Sequence, residues 1–180
     1  MNNNTVELWD ETYRGRTEWR GWPYEYALAA VPSDFTPLSV LDVGCGLGNG
    51  LAACRARWPA VECYGVDFSA VGIEAAQRRV PDGVFMCRDL NTTMLRLPRA
   101  DLVLCCQTLE HVDDPAVVER MIVLAAARLI VVTVPLDGKM TAHHPHSFSR
   151  EWFMARNYEV FVRSHPVPKD GSVIVARWSA

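Results

Sequence analysis

Short runs rich in Val, Leu, Ile and Cys alternate along this chain with longer stretches whose apolar positions recur at helical spacing. That alternation predicts an α/β fold, a parallel sheet wound with helices, because crossover helices cover both faces of such a sheet. Strands are expected at 39–44, 62–67, 84–88, 101–106 and 128–134, each nearly continuous in apolar residues as a doubly covered strand should be. Between them, 48–58 places Leu51, Cys54 and Trp58 on one helical face, and 69–80 does the same with Ile73, Ala76 and Val80. Asp113-Asp114-Pro115 predicts the firmest helix start: an aspartate cap, proline at the first helical position, then Val117, Val118, Met121, Ile122 and Ala125 as a buried stripe. After Pro135 a loop is expected, then a short helix near 149–157. Two strand-like runs at 158–163 and 172–178, separated by Pro166, Pro168 and Gly171, read as a closing hairpin.

The stretch before the first strand has a different texture. Trp9, Tyr13, Trp19, Trp22, Tyr24 and Tyr26 crowd into it, which predicts helices that cover something: the open end of the sheet, or a ligand. We therefore expect one domain, with a helical lid over 1–34 and a core over 35–180.

Composition narrows the partners. A net charge of -3 with 49% hydrophobic and 22% charged residues is ordinary globular usage, and it disfavours DNA and other polyanions. No apolar stretch approaches the ~20 residues of a membrane helix, and Met1-Asn2-Asn3-Asn4 lacks the features of a secretory leader, so a cytoplasmic location is expected. The six cysteines fall in apolar strand-like or helix-like runs without Cys-x-x-Cys spacing, as reduced core thiols do, and neighbours Cys105 and Cys106 should face opposite sides of a strand.

The chemistry concentrates after the first strand, where Asp42-Val43-Gly44-Cys45-Gly46-Leu47-Gly48 runs from a strand through a glycine loop into a helix. Glycines let a ligand approach the main chain, and free N–H groups at a helix start attract a carboxylate or phosphate. Asp42 is placed to accept hydrogen bonds from loop amides or from a ligand ammonium. Asp67 closes the second strand where a carboxylate suits both hydroxyls of a ribose, and Phe68 follows to flank a flat ring. Asp89 is placed to accept from an adenine amino group while the Leu90 amide donates to the ring. Each acid alone also reads as a strand-end cap; together they mark the carboxyl rim where open α/β sheets bind ligands. A dinucleotide competes, since Gly48-x-Gly50-x-x-Ala53 meets the loose Gly-x-Gly-x-x-Gly/Ala pattern, but that pattern belongs in the turn directly after the strand and here begins too late.

Asp42-x-Gly44-x-Gly46-x-Gly48, Asp67, Asp89-Leu90, Gln107-Thr108-Leu109-Glu110-His111-Val112 and His146-Ser147-Phe148-Ser149 resemble the motifs of class I S-adenosylmethionine-dependent methyltransferases, in the branch of small-molecule O- and N-methyltransferases. The resemblance covers roughly residues 35 to 155, and Trp9-Asp10-x-x-Tyr13 is similar to a lid motif of such enzymes. It implies a Rossmann-like seven-stranded, mostly parallel sheet of order 3-2-1-4-5-7-6 with the last strand antiparallel. It implies that S-adenosyl-L-methionine is the cofactor, with Gly44, Cys45 and Gly46 at its methionine end, Asp67 at the ribose, Asp89 and Leu90 at the adenine, and Gln107 near the sulfur.

Transfer of a methyl group from a sulfonium needs alignment and exclusion of water, and a base only where the acceptor must lose a proton. His111, near the end of the fourth strand, is the histidine best placed for that, with a helix-start or packing role as the plainer reading. His146 matches the family element, in which its role varies. His143, His144 and His146 read as a polar surface rather than a metal site. The loop after the fourth strand lacks the Asp/Asn-Pro-Pro-Tyr and Pro-Cys elements of nucleic-acid base methyltransferases. The expected partner is thus a small-molecule acceptor, in a pocket built from the first region, the 135–148 loop and, in a homo-oligomer, a second subunit. Methylation of a protein or RNA, and a cofactor-binding subunit without activity, are the alternatives.

Overall fold

In the computed structural model, residues 4–15, 21–92, 95–138, 140–165 and 171–179 are described. Trp19, Pro166 and Pro168 lie outside them. Two short helices come first, α1 (Val6–Tyr13) and α2 (Trp22–Ala29). Then β1 (Ser39–Val43), α3 (Asn49–Arg57), β2 (Glu62–Asp67), α4 (Ala70–Arg79), β3 (Val84–Cys87), β4 (Ala100–Cys106), α5 (Pro115–Ala125) and β5 (Ala126–Leu136) alternate as expected. The chain ends with α6 (Arg150–Met154), β6 (Glu159–Ser164) and β7 (Ser172–Ser179).

Among the described residues the strands form one seven-stranded sheet of order β3-β2-β1-β4-β5-β7-β6, the order that the family resemblance implied. β7 runs antiparallel to both β5 and β6, and the other neighbours are parallel. The order reverses between β1 and β4, and at such a switch point the loops splay apart and leave a crevice.

Alternation along β4 assembles the two halves of the core. Leu102, Leu104 and Cys106 join Tyr24, Ala27, Leu51 and Cys54 under α2 and α3, whereas Val103 and Cys105 join Val118, Met121, Ile122 and Phe153 under α5 and α6. Cys105 and Cys106 thus do face opposite ways. The Asp114 cap of α5 is as read: its carboxylate accepts from the Ala116 and Val117 amides, with Pro115 in the first turn. Among the described residues no helix is long and apolar enough to cross a membrane.

Four local expectations need correction. β3 is an edge strand, so Val84 and Cys87 are exposed rather than covered on both faces. Val117 is also exposed, leaving the stripe of α5 to Val118, Met121, Ile122 and Ala125. β5 does not stop before Pro135 but continues to Leu136. Its pairing with β4 ends at Thr133; beyond that point it pairs with β7 and bridges Phe148 through Leu136, and at Pro135 the side that faced β4 is unpaired, so proline's missing N–H is tolerated. The late helix ends at Met154, and Asn157 at φ 63 turns the chain into β6.

Candidate active site

The carboxyl ends of β1, β2, β4 and β5 and the loop after β3 surround a cavity of about 870 Å³. Of the residues expected to bind a cofactor, Tyr13, Gly44, Cys45, Gly46, Asp67, Phe68, Asp89, Leu90 and Gln107 line it, and so does His111. Asp42, Gly48 and His146 do not form its wall. Asp42 lies fully buried beneath the glycine loop. Gly48, at φ 78, is a packing glycine, since a Cβ there would stand 2.8 Å from the Ala76 Cα of α4. His146 sits to one side with Nε2 2.8 Å from the Val112 carbonyl and 3.1 Å from that of Asp113. Carbonyls only accept, so this ring nitrogen carries the proton and ties the loop after β5 to the start of α5.

The glycine loop is shaped by close approach. Gly44 at φ 79 and Gly46 at φ 47 occupy left-handed backbone. A Cβ on Gly44 would fall 2.2 Å from the Thr108 Oγ1, and one on Gly46 would fall 2.9 Å from the Tyr13 hydroxyl. Its hydrogen bonding differs from the sequence expectation. The Gly44 and Cys45 amides both donate to the Val66 carbonyl of β2, and the Gly46 amide donates to Asp67 Oδ2 at 2.8 Å, so these N–H groups are already engaged. Asp67, not Asp42, is the carboxylate that holds the loop, because the loop curls toward β2 as it leaves β1. The other Asp67 oxygen accepts from the Ser69 amide at 2.9 Å.

Three acids here are reluctant to ionise. Burial, with the nearby Asp67 charge, pushes the Asp42 carboxyl up to about 8, while the neighbouring Tyr24 hydroxyl pulls the other way. Burial raises Asp67 to about 6 against the lowering effect of its amide donors. Burial raises Glu110 to about 8. Sequence reasoning quoted Glu110 inside a motif and gave it no role. It is 1% exposed, it belongs to the cavity lining, and neither carboxyl oxygen has a hydrogen-bond partner among the described residues. Beside it, Gln107 holds a left-handed φ of 54 at the exit of β4, its backbone amide donates to the Thr133 carbonyl at 2.8 Å, and its Nε2 is buried without an acceptor among the described residues. A non-glycine residue in that conformation, left with an unmet donor at a cavity wall, is a mark of functional constraint.

His111 is packed edge-on against the Trp9 and His144 rings, with centroids 5.1 and 4.7 Å away. Its Nδ1 lies 2.7 Å from the His143 carbonyl and therefore donates, and burial holds the ring near 4 despite that acceptor. It is neutral at pH 7 and a weak base. Among the described residues no group of three His, Cys, Asp or Glu side chains is placed to hold a metal ion.

Residues 40–129 match a family described as a methyltransferase domain, half of the chain and the half that carries the glycine loop, both rim aspartates and Gln107. The chain belongs to the class I S-adenosylmethionine-dependent methyltransferase family. Similar curated members include the trans-aconitate 2-methyltransferase of Methylobacterium radiotolerans, 34% identical over 116 residues, which are 63% of this chain and 44% of that protein. The same enzyme of Escherichia coli O1:K1 is 28% identical over 66% of this chain and 46% of its own length. This member of the family thus spans under half of either relative. Among solved structures, the N-methyltransferase NodS of Bradyrhizobium japonicum WM9, in complex with S-adenosyl-L-homocysteine, shares the fold with a TM-score of 0.76, 14% identity and 98% coverage of both chains. Magnesium protoporphyrin IX methyltransferase of Synechocystis PCC 6803 does so at 0.66, 15% identity, 98% of this chain and 92% of that one.

The residues present fit a sulfonium nucleoside. A glycine bend without Cβ atoms leaves room for its amino-acid tail, and aspartates on adjoining strands suit its sugar and base.

Proposed function

We propose that this chain binds S-adenosyl-L-methionine in the switch-point cavity and catalyses transfer of its methyl group to the oxygen or nitrogen of a small-molecule acceptor. The observation that carries the reading is the convergence of Gly44, Gly46, Asp67, Asp89 and Gln107 on one cavity, which also holds the Glu110 carboxyl, buried without a hydrogen-bond partner among the described residues. When bound, the cofactor supplies an electrophilic methyl on a positively charged sulfur.

In this reading Asp67 accepts the ribose hydroxyls on the lone pairs its two amide donors leave open, since a carboxylate takes about four hydrogen bonds. Phe68 flanks the adenine, Asp89 accepts from its amino group and the Leu90 amide donates to its ring. Gly44, Cys45 and Gly46 shape the wall along the methionine end, with the buried Asp42 carboxyl beneath them. Gln107 turns its Nε2 toward the reacting end.

Residues 1–34 act as a lid in this reading, over a core that begins at residue 35. Supporting it, the Asn4 Nδ2 donates to the His111 and His143 carbonyls, the Ser69 hydroxyl donates to Asp10, and Tyr13 stands over Gly46. Closure by α1 would exclude water and fix the line of attack. A volume of about 870 Å³ falls within the ~300–1,000 Å³ of small-molecule sites, and the curated relatives bear the name of a small acid substrate.

A radiolabelled methyl-transfer assay against metabolite, RNA and protein fractions tests this. Label is expected in the small-molecule fraction. Label confined to RNA or protein would replace the acceptor class, and binding of cofactor without transfer to any fraction would favour a non-catalytic subunit.

A further inference from the structure

One buried residue joins the ribose aspartate to α1. Ser69 is fully enclosed at the start of α4. Its backbone amide donates to Asp67 Oδ1 at 2.9 Å, its hydroxyl oxygen accepts from the Gly72 amide at 3.0 Å as the helix cap, and its hydroxyl proton goes to Asp10 Oδ1. The Val71 amide lies 3.4 Å from the same Asp10 oxygen. Asp10 thus sits at the first turn of α4, where open N–H groups favour negative charge. It is not part of the cavity wall, whereas Trp9 and Tyr13 of the same helix are.

A second anchor lies nearby on α1. The Tyr13 ring is seated over two glycines: a Cβ on Gly46 of the loop would fall 2.9 Å from its hydroxyl, and one on Gly72 of α4 would fall 3.2 Å from its ring carbons. The other end of α1 is tied to the residues after β4 and β5, where Asn4 Nδ2 donates to the His111 and His143 carbonyls and Asn4 Oδ1 accepts from the Trp9 indole. An eight-residue helix is shorter than the ~12–15 residues that hold helical form alone in water, so α1 keeps its shape through these contacts.

We propose, resting on the cofactor reading above, that Asp10 is a positioning residue: through Ser69 it docks α1 over the bound cofactor, and breaking that contact governs how fast the cofactor leaves. Asp67 and Asp10 meet on one residue, the first at its amide and the second at its hydroxyl. A ribose held by Asp67 therefore fixes the start of α4 in the geometry that receives α1. Gly72 serves the same docking by leaving room for the Tyr13 ring. With α1 docked the site is closed to water and the reacting atoms stay in line; with α1 released the cofactor is free to exchange.

The test uses the full chain with S-adenosyl-L-homocysteine and reads two quantities, its dissociation rate by stopped-flow displacement and the hydrogen exchange of backbone amides with and without it. In the parent the ligand should slow exchange both in α1 and at the Gly46 and Ser69 amides. Asp10→Ala should lose the α1 protection, keep that at Gly46 and Ser69, and release the ligand faster on the order of 10-fold, the loss of one charge-assisted hydrogen bond. Asp10→Asn still offers an oxygen to the Ser69 hydroxyl and should behave as the parent does. Gly72→Ala favours helix in α4 yet crowds the Tyr13 ring, so it too should speed release. Parent-like release and α1 protection in Asp10→Ala, or an Asp10→Asn variant as fast as Asp10→Ala, overturns the inference and leaves the cofactor reading standing. Failure of the folded parent to bind S-adenosyl-L-homocysteine would remove the cofactor reading itself.

Discussion

Replacing Asp42 by asparagine isolates a cost that the site imposes on the fold. The carboxyl is fully buried at the end of β1, and its oxygens take no hydrogen bond of good geometry from a described residue. Gly50 has no Cβ because Tyr24 and Asp42 close over it; a Cβ there would lie 2.3 Å from the ring and 2.5 Å from Oδ2. Burial and the Asp67 charge raise the Asp42 carboxyl from 3.8 to about 8. Between those values the unfolded chain has lost this proton and the folded chain keeps it. Unfolding then releases a proton, so stability falls as pH rises through the window and levels off above the folded value. At about 1.4 kcal/mol per pH unit the whole shift bounds the effect near 6 kcal/mol, and relaxation and water entry reduce it to a few. Asparagine has no proton to lose. The unfolding free energy of Asp42→Asn relative to the parent should therefore rise by about 2–4 kcal/mol between pH 5 and pH 8. Urea denaturation at pH 5, 6.5 and 8, followed by tryptophan fluorescence, measures it. A difference that stays flat with pH, or grows toward pH 5, refutes the assignment of a buried, unpaired acid.

Two further substitutions test the loop and the fold. Gly44→Ala puts a Cβ 2.2 Å from the Thr108 hydroxyl at φ 79 and should cost about 3 kcal/mol or more of stability. Adding Thr108→Ala should return the steric part and leave the ~1–2 kcal/mol of left-handed backbone, a non-additivity that a double-mutant cycle in urea reads directly. Asp114→Ala removes the carboxylate that accepts from two amides at the start of α5 and should cost about 1 kcal/mol in the same assay, with cofactor affinity unchanged.

The sheet was legible because parallel strands covered on both faces leave unbroken apolar runs, and β1, β2 and β4 carry them. The start of α5 was legible because Asp114-Pro115 combines a side-chain acceptor with a residue that has no N–H to satisfy. Val84 and Cys87 were misjudged because an edge strand and a central one share composition, and which is which depends on strand order. That Asp67 rather than Asp42 holds the loop amides follows from the path of a loop, and no spacing encodes that path. Glu110 sat in plain view inside a motif. Its significance lies in what surrounds it, an absence of partners in a closed wall, and only three-dimensional packing shows that.

The central claim is that the switch-point cavity holds a sulfonium nucleoside through Asp67. Calorimetric titration of the folded chain with S-adenosyl-L-homocysteine tests it most directly. The account predicts one site per chain, weakened on the order of 1–3 kcal/mol by Asp67→Ala through lost charge-assisted hydrogen bonds. No heat of binding from the folded parent, or undiminished affinity in Asp67→Ala, would contradict it.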